Sequence, residues 1–201
     1  MRQRKELEDV ERALFVIDMN VGFCEKGNLA DSSIKDIIVP NIIPIIREIL
    51  EQGEAFFVVN DKHTKNSVEL KRYAEHCMGD EESRTIKELA IYEQYANGLF
   101  FKNSTCALFA PGVIDAILKM KNLKQIIITG CCTDICIQNF AIALRNFLDE
   151  LDIDVEIVVP MNAVETFHIP GVHDRQENNE RAYTVMENTG IKLVKTMKGV
   201  A

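Results

Sequence analysis

The chain has 201 residues, 47% of them hydrophobic and 27% charged, which is long enough to bury a core without staples and excludes a disordered or fibrous protein. Thirty-one acidic residues against 23 basic ones leave a formal charge of -8, so the basic surplus or stripe of a nucleic-acid binder is missing. No apolar run reaches membrane-spanning length, and Met1–Arg12 is charged without the apolar centre of a signal peptide, so the expectation is a cytoplasmic protein with no nucleic-acid or membrane partner.

Residues 1–12 are expected to form a helical extension of a single domain over 1–201. Ala13–Ile17 (ALFVI) reads as a buried strand ending at Asp18. Ser33–Gln52 has helical spacing with Gly53 as C-cap, and Pro40 and Pro44 are expected to kink or split it. Ala55–Val59 is a second strand, and Leu99–Phe101 a short third ending at Lys102. Between them, residues 64–98 are long and weakly patterned, as expected of a functional loop region carrying small helices. Val113–Met120 is predicted helical and Gln125–Thr129 the fourth strand. Thr133 or Asp134 is expected to N-cap a helix to about Asp149. Val155–Val159 is the fifth strand, Gln176–Asn188 a helix and Ile191–Val194 the sixth strand. Strands alternating with helices predict an α/β fold, a three-layer α/β/α sandwich around a doubly wound, mainly parallel six-stranded sheet in the order 3-2-1-4-5-6.

Ligands of such sheets bind beyond the carboxyl ends of the strands, where the order reverses. Asp18 follows the first strand, Asp61 and His63 the second, Lys102 the third, and Cys131, Cys132 and Cys136 the fourth. Cys136 falls in the first turn of a helix, whose free amides and partial positive charge favour a thiolate and can hold an oxyanion. The bland alternative is a buried free cysteine. Asp18 reads as a general base for that thiol or as a turn residue, and Lys102 as a charge that holds the pair or as a surface lysine. Asp61 and His63 point the same way on an extended segment. With Glu69 and His76 they suit a divalent ion such as zinc, iron or manganese, or are ordinary loop residues. His168 and His173 read as surface histidines. No G-x-G-x-x-G follows the first strand, so a dinucleotide site has no support.

Three motifs resemble the isochorismatase-like cysteine hydrolases, and most closely their nicotinamidase (pyrazinamidase) branch. They are Asp18 with Phe23 five residues on, Asp61-Lys62-His63 followed by His76-Cys77, and Gly130-Cys131-Cys132-Thr133-Asp134-Ile135-Cys136. The resemblance spans about residues 13–194. It implies a triad of Asp18, Lys102 and Cys136, a cis peptide between Cys131 and Cys132, and an oxyanion hole from the amides of Cys132 and Cys136. It also implies one divalent metal ion, zinc first, held by Asp61, His63, His76 and Glu69, with Phe23 and Tyr73 flanking a substrate ring and Leu108 near it. The expected activity is hydrolysis of nicotinamide to nicotinate and ammonia through a thioester, in a homodimer or homotetramer. Two rivals are hydrolysis of another small amide or carbamoyl compound, and a redox sensor or binding protein built on Cys131, Cys132 and Cys136.

Overall fold

The computed structural model describes residues 4–197. Its sheet runs β3 (Gly98–Lys102), β2 (Ala55–Asp61), β1 (Arg12–Ile17), β4 (Gln125–Cys131), β5 (Glu156–Pro160), β7 (Lys192–Val194), all paired in parallel. This is the expected order with one addition. A two-residue strand, β6 (Val164–Glu165), pairs with Gly130 and Cys131. The reason is local. β5 accompanies β4 only along Gln125–Ile127, so the far end of β4 has an open edge that β6 covers.

Successive residues of β1 serve opposite faces of the sheet. Phe15 and Ile17 join the core beneath α5 (Val113–Lys119), α6 (Gln138–Glu150) and α7 (Arg175–Asn188). Leu14 and Val16 join the core beneath α2 (Ser32–Glu51). Helices therefore cover both faces, which makes the three-layer sandwich.

Helix α2 is continuous through Pro40 and Pro44, so the prolines do not split it. Its stripe of Ile34, Ile38, Ile42, Ile45, Ile46 and Ile49 is fully buried. Each isoleucine contributes about 1.5–3 kcal/mol, which together outweigh two interior prolines at about 3 kcal/mol each. Pro40 lies on the exposed side, where Asn41 Nδ2 donates to the carbonyl of Ile37 at 3.1 Å.

The expected N-terminal helix is not seen over residues 4–12, and residues 1–3 lie outside the described part. Only a three-residue turn, Leu7–Asp9, forms before β1. The backbone amides of Glu11 and Arg12 donate to Glu54 Oε2 at 2.9 and 3.0 Å, and Val10 is buried. These ties hold the segment extended. No helix among the described residues is long and apolar enough to cross a membrane.

Candidate active site

The carboxyl ends of β1, β2, β3 and β4 converge. Ile17 faces Val59 of β2 and Gly130 of β4, while Asp61 faces Lys102. The approach of β1 to β4 demands a glycine. A Cβ on Gly130 would lie 2.0 Å from the carbonyl oxygen of Ile17, and its φ is +117°. Asp18 leaves β1 in the left-handed region, φ 54°, its amide donating to Val59 O at 2.8 Å. Cys131 Sγ donates to the carbonyl of Asp18 at 3.1 Å, so this thiol ties the end of β4 to the end of β1. The peptide between Cys131 and Cys132 is cis.

Lys102 is buried at the centre of the cluster. Its Nζ lies 2.9 Å from Asp18 Oδ2, 3.1 Å from Asp61 Oδ1 and 3.7 Å from Cys136 Sγ. The surface-lysine reading is thereby excluded. The ammonium meets both carboxylates off the angle of a directed hydrogen bond, so both oxygens of Asp18 and Oδ1 of Asp61 are buried without a hydrogen-bond partner. Burial, with the charge of Asp61, outweighs Lys102 and pushes Asp18 up to about 6. Burial alone would also raise Asp61, but the ammonium of Lys102 beside it holds that carboxyl well below the usual range. The ammonium of Lys102 is stabilised by Asp18, Cys136 and Asp61 against its own burial.

Cys136 corrects the expectation of a lowered thiol pKa. Burial and the charges of Asp18 and Asp61 outweigh Lys102 and push the thiol well above its ordinary range. The local backbone differs too. Thr133–Ile137 forms one π-helical turn preceding α6, with Cys132 as N-cap and no side-chain cap. Asp134 does not cap. Its Oδ1 accepts from Thr166 Oγ1 at 2.6 Å and its Oδ2 pairs with His173 Nε2 at 2.8 Å. His173 is thus no free surface histidine: it is half-buried and stacked on Phe167.

Asp61, His63, Glu69 and His76 are all buried, and each offers a ligand atom within 4.8 Å of the others. The donor set fits a divalent cation. His76 Nδ1 lies 2.7 Å from the carbonyl of Ala74, which only accepts, so Nδ1 carries the ring proton in the neutral imidazole. Its Nε2 then presents a lone pair 3.3 Å from Asp61 Oδ2, an arrangement that a cation between them satisfies. His63 repeats the pattern, with Nδ1 2.8 Å from Asn103 Oδ1 and Nε2 2.9 Å from Asp61 Oδ2. Asn103, which also accepts from Ser67 Oγ at 2.6 Å, was missed in the sequence. Its position directly after Lys102, at a strand end, is a signal by which it could have been found.

Thiol and donor set share one cavity of about 480 Å³. Phe23 and Tyr73 line it beside His76, with ring centroids 5.4 and 6.3 Å from that imidazole. Cys132, Cys136, Asp61 and Glu69 line it as well. Leu108 does not. It is buried in the core on the Phe15 face of the sheet, and Thr105 lines the cavity instead. The turn Ala107–Phe109 rotates Leu108 inward, a reversal that residue spacing after Lys102 does not reveal. Residues 28–32 and 167–169 also form cavity walls, among them His168, which is exposed, as expected, at the rim.

Residues 12–196 match the family model of the isochorismatase domain. Nicotinamidase 1 of Arabidopsis thaliana is 26% identical over 179 residues, covering 81% of this chain and 72% of that protein. The pyrazinamidase/nicotinamidase of Streptococcus mutans UA159 shares the fold with a TM-score of 0.75 at 22% identity, over 92% of this chain and 100% of that one. The pyrazinamidase of Pyrococcus horikoshii, solved in complex with zinc, shares it with a TM-score of 0.69 at 24% identity, over 92% of this chain and 98% of that one.

Proposed function

The chain belongs to the isochorismatase family of hydrolases, and from that premise we propose that it is a metal-dependent cysteine amidohydrolase converting nicotinamide to nicotinate and ammonia. One observation carries the reading: a single buried ammonium, Lys102 Nζ, touches the base, the nucleophile and a ligand of the donor set at once. The named activities of the similar plant, streptococcal and archaeal proteins support the choice of amide.

The chemistry follows from the charges. With its pKa near 6, Asp18 is ionised at neutral pH, yet basic enough to take a proton, and its Oδ1 is unpartnered. It removes the proton of Cys136, and Lys102 stabilises the thiolate so formed. The thiolate attacks the carboxamide carbon. The amides of Cys132 and Cys136 hold the oxyanion, because the first turn of a helix leaves backbone donors free. Asp18 returns its proton to the departing ammonia, leaving a thioester on Cys136. Asp18 then deprotonates a water that hydrolyses the thioester, freeing nicotinate and the thiol. A divalent cation, zinc by its preference for imidazole and carboxylate, would be held by Asp61, His63, Glu69 and His76, where it supplies a Lewis-acid contact that orients the substrate ring. Phe23 and Tyr73 flank that ring. The outward Leu99 and Phe101 of edge strand β3, 42% and 40% exposed, support self-association as a dimer or tetramer.

Ammonia release from nicotinamide, measured on zinc-loaded and chelated protein with Cys136→Ala beside them, tests the reading. The loaded parent is expected to turn over, Cys136→Ala to lose about 10⁴-fold or more, and chelation to raise KM. Near-normal turnover by Cys136→Ala removes the nucleophile assignment. Full activity without metal removes the role of the donor set, and a folded, loaded parent that releases no ammonia removes nicotinamide.

A further inference from the structure

We infer that the cavity has an outer chamber that takes a second apolar group on the substrate's ring, and that Asp31 and Arg175 are the specificity-determining pair that holds this chamber in shape. The inference rests on the amide-hydrolase reading above and names the wider class of its substrate: ring carboxamides bearing a further apolar substituent.

The volume comes first. A single benzene ring is housed by a cavity of about 150 Å³, whereas this open cavity has about 480 Å³. Beyond the thiol and the donor set the lining continues over residues 28–32 and 167–169, where Ser32, His168 and Ile169 are exposed and mark the mouth. Leu29, Phe167 and Ile169 give these walls an apolar surface suited to a ring or short chain.

The two walls are 144 residues apart in the chain along the Asp31–Arg175 bond, and one ion pair joins them. Arg175 Nη2 donates to Asp31 Oδ2 at 2.8 Å and to Ser33 Oγ at 2.5 Å, and Nε donates to the carbonyl of Thr166 at 2.8 Å. Asp31 Oδ2 also accepts from the amide of His168 at 3.1 Å. Asp31 Oδ1 accepts from the amide of Ser33, so the same carboxylate caps α2. A planar guanidinium holds these three acceptors in a fixed geometry that a freely rotating ammonium does not impose. Behind the wall, Phe167 stacks on His173 at 3.9 Å, and His173 reaches Asp134 in the turn that carries Cys136. His168 Nδ1 accepts from the amide of Arg175 at 3.3 Å, which leaves Nε2–H as a donor for an acceptor on the distal group. The side chains of Asp31 and Arg175 bond to one another, to Ser33, Thr166 and His168, and not to Asp18, Lys102 or the donor set, so the pair acts on the distal group rather than on the reacting centre.

The test compares nicotinamide with 5-phenylnicotinamide in the parent, Arg175→Met and Asp31→Asn. The second variant keeps an oxygen for the helix cap, and thermal melts verify that each variant is folded. The parent is expected to hydrolyse both amides. In the variants, KM for the phenyl compound is expected to rise about tenfold or more, with kcat within about twofold and nicotinamide nearly unaffected. A parent that hydrolyses nicotinamide but neither hydrolyses nor binds the phenyl compound overturns the chamber. Equal changes for both amides in folded variants, or a fall in kcat alone, overturn the role of the pair. If the parent hydrolyses neither amide, the proposed reaction fails, and calorimetric binding decides the chamber. Binding of 5-phenylnicotinamide weakened tenfold by Asp31→Asn upholds it, and no binding overturns it.

Discussion

Strand β1 has a charged residue at each end, Arg12 at its start and Asp18 just past its finish, and the fold treats them in opposite ways. Arg12 is partly exposed and well satisfied: Nη1 donates to Glu48 at 2.7 Å and Gln52 at 2.9 Å, and Nε to Gln125 at 3.2 Å. Asp18 is fully buried, and neither of its oxygens has a directed hydrogen bond. Both ends hold acids and bases within ion-pair distance. What separates them is completion. Donors and acceptors that satisfy one another stabilise a fold, while a buried carboxylate left with an open lone pair retains its capacity to react.

Lys102→Met attacks the unfinished end most directly. It leaves Asp18 and Asp61 buried without their cation, so the expected cost is about 3–5 kcal/mol in urea unfolding, together with loss of ammonia release. A variant as stable as the parent would mean that the ammonium is not what keeps these carboxylates in place.

A pH series sharpens the same comparison. The folded pKa of Asp18, about 6, lies above that of an unfolded aspartate. The folded state therefore binds this proton more tightly, and the stability the group contributes is fully present below the unfolded pKa. It declines as pH rises from about 4 through about 6 and is level above. Activity runs the other way if Asp18 is the proposed base, which acts in its ionised form: kcat/KM is then expected to rise through about pH 6. Asp18→Asn should remove that stability slope, and an acid limb of the parent's profile near pH 4 would contradict the raised value.

Arg12→Met supplies the contrast and the smallest effect. Its pairs are partly exposed, so a loss of about 1–2 kcal/mol is expected, with kcat on nicotinamide unchanged within about twofold. A fall in kcat comparable to that of Lys102→Met would erase the distinction between the two ends.

The strands and their order were legible because short apolar runs ending in chemically active residues mark a parallel sheet and its carboxyl edge. The meeting of Asp18, Asp61 and Lys102 was legible for the same reason, since strand ends place them before any side chain packs, whereas Cys136, Glu69 and His76 lie off the strands and were expected beside them from the family resemblance. The unbroken α2 was not, because proline rules describe an isolated helix and six buried isoleucines override them. Thr105 rather than Leu108 lines the cavity, because one short turn carries Leu108 into the core. His173 acquired a partner, Asp134, from another element.

Sequence by itself determined which residues stand at the edge of the sheet, because strand periodicity and chain direction are local properties. Tertiary structure alone decided the state of Cys136 and the shape of the cavity. The thiol is raised by burial and by carboxylates from other strands, and the cavity walls are joined between Asp31 and Arg175. Burial and charge act through space, so both depend on distances that no spacing along the chain encodes.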